Sequence, residues 1–204
     1  MNNSFIDALK SFKKQIKKVM ERNANQYRDM YKEMGVNIDK LGCIMIDADG
    51  TAIKNVIKEE DLYKTSNPDR FWIKGFVAGH TPHITLLYGL MESGKTTYKK
   101  YVDRVLEGWG IENVEIDHVD FFDSPFNDDP YYCIVAHVVI SPELKDGNQR
   151  LSLLPHINTF PEYKAHITIA YIRKDETLRD ELIGKYNEML QGKTLATKEI
   201  NYGK

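Results

Sequence analysis

The chain has 204 residues, 42% hydrophobic and 28% charged, which is enough apolar material for a packed core and too much for general disorder. Thirty acidic against 28 basic side chains leave a net charge of −2, so a globally basic nucleic-acid binder is excluded while a local basic site is not. No apolar run approaches the roughly 18–20 residues that span a bilayer, and the opening MNNSFIDALKSFKK lacks the apolar block of a secretory signal.

Residues 1–34 read as an amphipathic helix set apart from a domain over 35–204. Phe5, Leu9, Phe12, Ile16, Val19, Asn23, Tyr27, Met30 and Met34 follow a three-and-four spacing that makes one stripe, apolar but for Asn23. Lys10, Lys13, Lys14, Lys17, Lys18 and Arg22 surround it. This segment holds eight bases and four acids, net +4, so the remainder carries net −6. A stripe on so long a helix needs a cover: a second copy of the chain, the body of the protein, or an anionic surface.

After Gly35 the pattern changes. LGCIMIDA reads as a buried strand, residues 55–80 as polar and irregular, and HITLLY (83–88) as a strand. Residues 95–109 look helical. NVEIDHVDFF (113–122) alternates as a half-exposed strand does, and YYCIVAHVVI (131–140) is a more buried one. Ser141, Pro142 and Glu143 open a helix with a cap, a first-position proline and an early acid. AHITIAYI (165–172) is a strand, 176–190 a helix, and TKEINYG a last short strand. The order predicts an α+β domain with helices on one side of a largely antiparallel sheet. Cys43 and Cys133 sit in apolar runs without a CxxC. Free thiols in a reducing, cytoplasmic setting fit them better than a zinc site.

The chemistry-bearing feature is a repeat. His83-Ile84-Thr85-Leu86-Leu87-Tyr88 aligns with His166-Ile167-Thr168-Ile169-Ala170-Tyr171. A strand's period of two puts each histidine and its threonine on one face, and Ile84, Leu86 and Tyr88, or Ile167, Ile169 and Tyr171, on the other. Tyr88 and Tyr171 are therefore expected to pack rather than to act. If a pseudo-twofold relates the strands, two imidazole–hydroxyl pairs converge. One imidazole can then accept a proton while the other donates one, and the hydroxyls can hold the non-bridging oxygens of a phosphodiester. No metal or cofactor is needed.

These residues resemble the 2H phosphoesterase superfamily, whose signature is two H-x-[ST] motifs in two lobes. PHITLLYGL (82–90), YKAHITIAYI (163–172) and the stretch LPHINTFPEYKAHITIAY are similar to phage-encoded members. The resemblance covers about residues 41–190 and leaves the N-terminal helix outside. It implies a two-lobed fold of antiparallel sheets with outer helices around a central cleft, with His83, Thr85, His166 and Thr168 as the catalytic set. Members include LigT-type RNA 2′,3′-cyclic phosphodiesterases and ligases, and phage nucleases that destroy the cyclic oligonucleotide signals of bacterial CBASS defence. Ala165 departs from the proline that many members carry before the second histidine. A phage-like member would work in a host cytoplasm on a nucleotide or short oligonucleotide.

Two other motifs compete. GLMESGKT (89–96) matches the phosphate-cradling G-x-x-x-x-G-K-[ST] between a strand and a helix. Against it, YYCIVAHVVI ends in Ser141-Pro142 and not in a magnesium-binding aspartate. Asp47-Ala48-Asp49-Gly50-Thr51 resembles the nucleophile motif of haloacid-dehalogenase-type phosphatases, yet an Asp-Gly turn after a strand explains it as well. Asn127-Asp128-Asp129 is a poor partner magnesium cluster for it. A non-catalytic protein that sequesters a nucleotide is a further alternative.

A nucleotide also needs stacking surfaces and charge. Trp72 and Lys74 precede the first motif. Tyr163, Lys164 and Phe160 precede the second, and Asn158 offers an amide to a base edge. Tyr163, Lys164, Trp72 and Asn158 are the candidate substrate-binding residues. His80, His118, His137 and His156 have no partner motif and read as structural or surface residues.

Overall fold

The computed structural model describes residues 41–70, 73, 82–90, 95–157 and 162–203. The helix expected over 1–34 lies outside them. The described chain is α+β, with six strands and three helices. These are β1 (Gly42–Ala48), β2 (His83–Leu90), α1 (Lys95–Val105), β3 (Asn113–Asp123), β4 (Tyr131–Val138), α2 (Pro142–Leu151), β5 (His166–Arg173), α3 (Glu176–Leu190) and β6 (Thr194–Gly203). No described helix is long and apolar enough to cross a membrane.

The strands close on themselves in the order β1-β2-β5-β4-β3-β6, and every described pairing is antiparallel. The two strands bearing the repeat are neighbours, meeting at Ile84↔Ile167. β6 closes the other side by pairing with both β1 and β3. Antiparallel connectivity also weakens the P-loop reading, since a nucleotide-cradling loop of that kind works within parallel βαβ units. Gly89 is the last but one residue of β2, with φ +97°, and its amide plane is held by Ile157, whose N–H donates to the Gly89 carbonyl at 2.8 Å. A Cβ there would sit 2.1 Å from the Ile157 carbonyl oxygen. That close backbone crossing accounts for the glycine without a phosphate.

One face of the strands is apolar and carries the helices. Ile44, Ile46, Ile84, Leu86, Ile116, Ile134, Ile167 and Ile169 form a single cluster with Val102 of α1, Leu144 and Leu151 of α2, and Leu182 and Tyr186 of α3. Helix starts follow their sequence signals. The Leu144 N–H donates to the Ser141 hydroxyl at 3.3 Å ahead of Pro142, and the Leu178 N–H donates to Asp175 at 3.0 Å. A smaller cluster of Ile73, Tyr131, Cys133 and Val135 lies on the opposite face of β4. The segment 59–70 is moored beside it by Asp129, which accepts from Tyr63, from Thr65 at 2.7 Å and from Arg70 at 3.0 Å. Burial opposes the charge on Asp129, but those donors outweigh it and hold its pKa low. Asp129 is thus committed to three protein donors, which removes it as a magnesium ligand.

Candidate active site

The repeat extends beyond the two motifs. In the first half, Cys43 pairs with Tyr88, Ile44 with Leu87, Met45 with Thr85, Ile46 with Ile84 and Asp47 with His83. In the second, Cys133 pairs with Tyr171, Ile134 with Ala170, Val135 with Thr168, Ala136 with Ile167 and His137 with His166. The register slips at the same place in both, passing over Leu86 in one and Ile169 in the other. These are matched β-bulges. The Leu86 carbonyl at the first accepts from the Asn148 side chain of α2 at 2.7 Å.

The bulges overturn one expectation. Strict alternation puts Tyr88 and Tyr171 opposite the histidines. An extra residue reverses the parity after it, so both tyrosines return to the histidine–threonine side of their strands. Burial follows this: Leu86 and Leu87 are both buried while His83, Thr85 and Tyr88 are half-buried, and β5 repeats the pattern. The Thr168 and Tyr171 hydroxyls both reach the Cys133 thiol, whose pKa burial pushes up to about 12. Tyr171 also packs edge-on against Tyr131, with centroids 5.2 Å apart.

The antiparallel bridge at Ile84↔Ile167 brings the two motifs side by side, with His83, Thr85, His166 and Thr168 outside the main core. His83 and His166 are near enough to influence each other electrostatically. Burial lowers the His166 pKa. His83 pushes it the same way, against a hydrogen bond to the Lys164 carbonyl. That carbonyl lies 2.7 Å from His166 Nδ1 and can only accept, so Nδ1 carries the proton and Nε2 keeps its lone pair. Phe122 stands edge-on to the ring, 4.9 Å between centroids, and supplies part of its desolvation.

Two histidines read as structural or surface residues lie in line with His166 on the neighbouring strands. His137 pairs with His166 across β4–β5, with rings 6.4 Å apart, and His118 pairs with His137 across β3–β4, stacked at 4.6 Å. Burial, then the charges of His118 and His166, lower the His137 pKa. Sequence reasoning did not single out Asp120 or Phe122, and it gave His118, His137 and Asp47 no place beside the two motifs. A signal for two of them exists: Cys43-Ile44 and Cys133-Ile134 begin equivalent runs that end at Asp47 and His137. His156 is structural, its Nδ1 2.8 Å from the Leu154 carbonyl.

A cavity of about 710 Å³ opens beside the row, walled by His118, Asp120, Phe122, His137, Tyr163 and Lys164 among others. Of the candidate substrate-binding residues, Lys164 is exposed there, 3.6 Å from Glu162. Tyr163 packs against the main core, its hydroxyl buried and without a partner among the described residues. Trp72, Asn158, Phe160, Lys74 and His80 lie outside the described residues. The competing aspartates have local roles: Asp49 accepts from the Thr51 N–H at 3.1 Å in a turn, and Asp47 is buried, with Asn201 3.5 Å away.

No protein-family model matches the chain, and no curated protein matches it. Among solved structures, Usb1 from Kluyveromyces marxianus is similar at a TM-score of 0.41 and 8% identity, over 80% of this chain and 93% of that one. At that score the likeness carries no functional weight.

Proposed function

We propose that the chain is a phosphodiesterase of the 2H type, acting on a phosphodiester in a nucleotide or short oligonucleotide. His166 is the general base in the resting protein, His83 the general acid, and Thr85 and Thr168 hold the non-bridging oxygens. The observation that carries this is the antiparallel meeting of the two motifs about Ile84↔Ile167, which gives both imidazole–hydroxyl pairs one face and a twofold relation. A lowered pKa suits His166 as the base, because the ring is neutral at neutral pH with Nε2 free to accept. Burial keeps the Cys133 thiol protonated beside the Thr168 hydroxyl. Proton transfer between the histidines needs no metal.

Lys164 at the cavity rim suits a second anionic group of the substrate, and Tyr163, Trp72 and Asn158 complete the proposed binding set. The similarity of the motifs to phage-encoded members supports a substrate that is either an RNA 2′,3′-cyclic phosphate end or a cyclic oligonucleotide, the latter in a counter-defence role in a host cytoplasm. Residues 1–34 are proposed as a separate helix for self-association. The test is incubation with 2′,3′-cyclic-ended oligonucleotides and cyclic di- and trinucleotides, products read by mass spectrometry. Cleavage by the wild-type chain, slowed at least about 100-fold in His166→Ala, is expected. Ligand recovered intact from every incubation would favour a sequestering protein.

A further inference from the structure

We propose that His118, Asp120 and His137 form a binding site for a divalent transition metal ion of the zinc class, with open coordination positions facing the cavity beside Lys164. It goes beyond the proposed reaction, whose proton chemistry needs no metal. His118 and Asp120 are two residues apart on β3 and so share a face, and His137 is the register partner of His118 on β4. One ligand atom from each of the three lies within 4.8 Å of the others. Zinc at about 2.1 Å from each ligand brings them to about 3.4 Å apart, a closure that rotation of half-exposed side chains supplies.

The surroundings fit a cation. His118 Nδ1 lies 2.8 Å from the Asp117 carboxylate, which can only accept, so Nε2 is left to coordinate. Asp117 is the bulge residue that β3 inserts beside this pair, since the register passes from Ile116 to His118. A carboxylate fixing the far nitrogen of a ligating histidine is the usual outer support of a metal site. The cavity wall carries Asp117, Asp120 and Glu162 against Lys164, three negative charges to one positive, an excess of two that a divalent ion balances. Two imidazoles among the donors select zinc, cobalt, nickel or copper over magnesium and calcium, which take oxygen ligands. Three protein ligands leave positions open, as in metal sites that hold water or an exogenous anion.

The experiment uses the untagged full-length chain, stripped with EDTA and titrated with Co2+ while visible absorption is read, followed by displacement with Zn2+. One Co2+ per chain with nitrogen-ligand bands, displaced by Zn2+, is expected. His118→Ala, His137→Ala and Asp120→Asn should each weaken binding at least tenfold, and Asp117→Asn about 10- to 100-fold, as loss of an outer partner does. Asp117 and Asp120 are exposed, so their asparagine variants keep the fold, checked by circular dichroism. His83→Gln should bind Co2+ like the wild type, which separates this site from the proposed reaction. No Co2+ band in the wild type, or a band unchanged in both His118→Ala and Asp120→Asn, overturns the proposal.

Discussion

Replacing the two proposed proton-transfer residues singly and together tests the reaction most directly. A positioned general acid or base contributes about 10²- to 10⁴-fold, so His83→Ala and His166→Ala should each lower turnover at least about 100-fold, or about 2.7 kcal/mol of barrier. The fold should tolerate both changes, because Ile84 and Ile167 do the core packing while the histidines are half-buried on the other face. His166→Ala forfeits the hydrogen bond to the Lys164 carbonyl, worth about 1 kcal/mol and a loss of about 2–4 °C in Tm. Independent groups would multiply, giving at least about 10⁴-fold for the double variant. The histidines here are electrostatically coupled, and in the proposed reaction they act on one phosphate, so the double variant should lose clearly less than that product. The assay is single-turnover cleavage of whichever oligonucleotide the wild type accepts, quantified by mass spectrometry, with circular dichroism on each variant. Near-wild-type turnover in either single variant would refute the proton exchange. Full multiplicativity would refute the shared step.

Chelation should leave kcat unchanged within about twofold, since the two His-x-Thr pairs supply the proton chemistry; abolition by EDTA with rescue by magnesium would move the chemistry elsewhere. In EDTA-treated protein the acidic limb of kcat/KM should fall below pH 6.5, because the His166 pKa is lowered by burial; a limb above 6.5 contradicts that assignment. The stability sign follows: the unfolded chain binds the His166 proton more readily, so this contribution is present above pH 6.5 and lost as pH falls through the depressed value, which urea melts at stepped pH would read. Asn148→Leu strips the bulge carbonyl of Leu86 of its donor and should cost about 1–3 kcal/mol in a urea melt; an unchanged midpoint would mean that water replaces the amide.

The sequence was most legible where period and punctuation agree. The expected helix over 176–190 coincides with α3, whose Asp175 cap and apolar spacing leave little freedom. The His-x-Thr strands were legible for the same reason: each is short, apolar at the positions after its histidine and threonine, and preceded by turn-forming residue types. The tyrosines were not, because a β-bulge leaves no mark in composition. Leu86-Leu87 and Ile169-Ala170 are simply two apolar residues in a row, and only the pairing partner reveals that one of them is extra. His118 and His137 escaped for a related reason. Their meaning lies in cross-strand register, and β3 reaches it through its own bulge at Asp117.

The duplicated hairpin also bears on how one fold can supply unlike partners from like motifs. A general acid and a general base need different surroundings to hold different protonation states at one pH. Across the two halves the frame is the same: a cysteine opposite the tyrosine, an apolar residue opposite the threonine, a bulge after it. The residue opposite each histidine is where the chemistry diverges, with Asp47 facing His83 and His137 facing His166. A buried carboxylate and a half-buried imidazole are opposite electrostatic neighbours, one able to carry negative charge and the other only positive. Phe122 adds to the difference by packing edge-on against His166. In the proposed reaction the duplicated scaffold serves one phosphate with two imidazoles, and these cross-strand neighbours break the symmetry that would otherwise leave them equivalent.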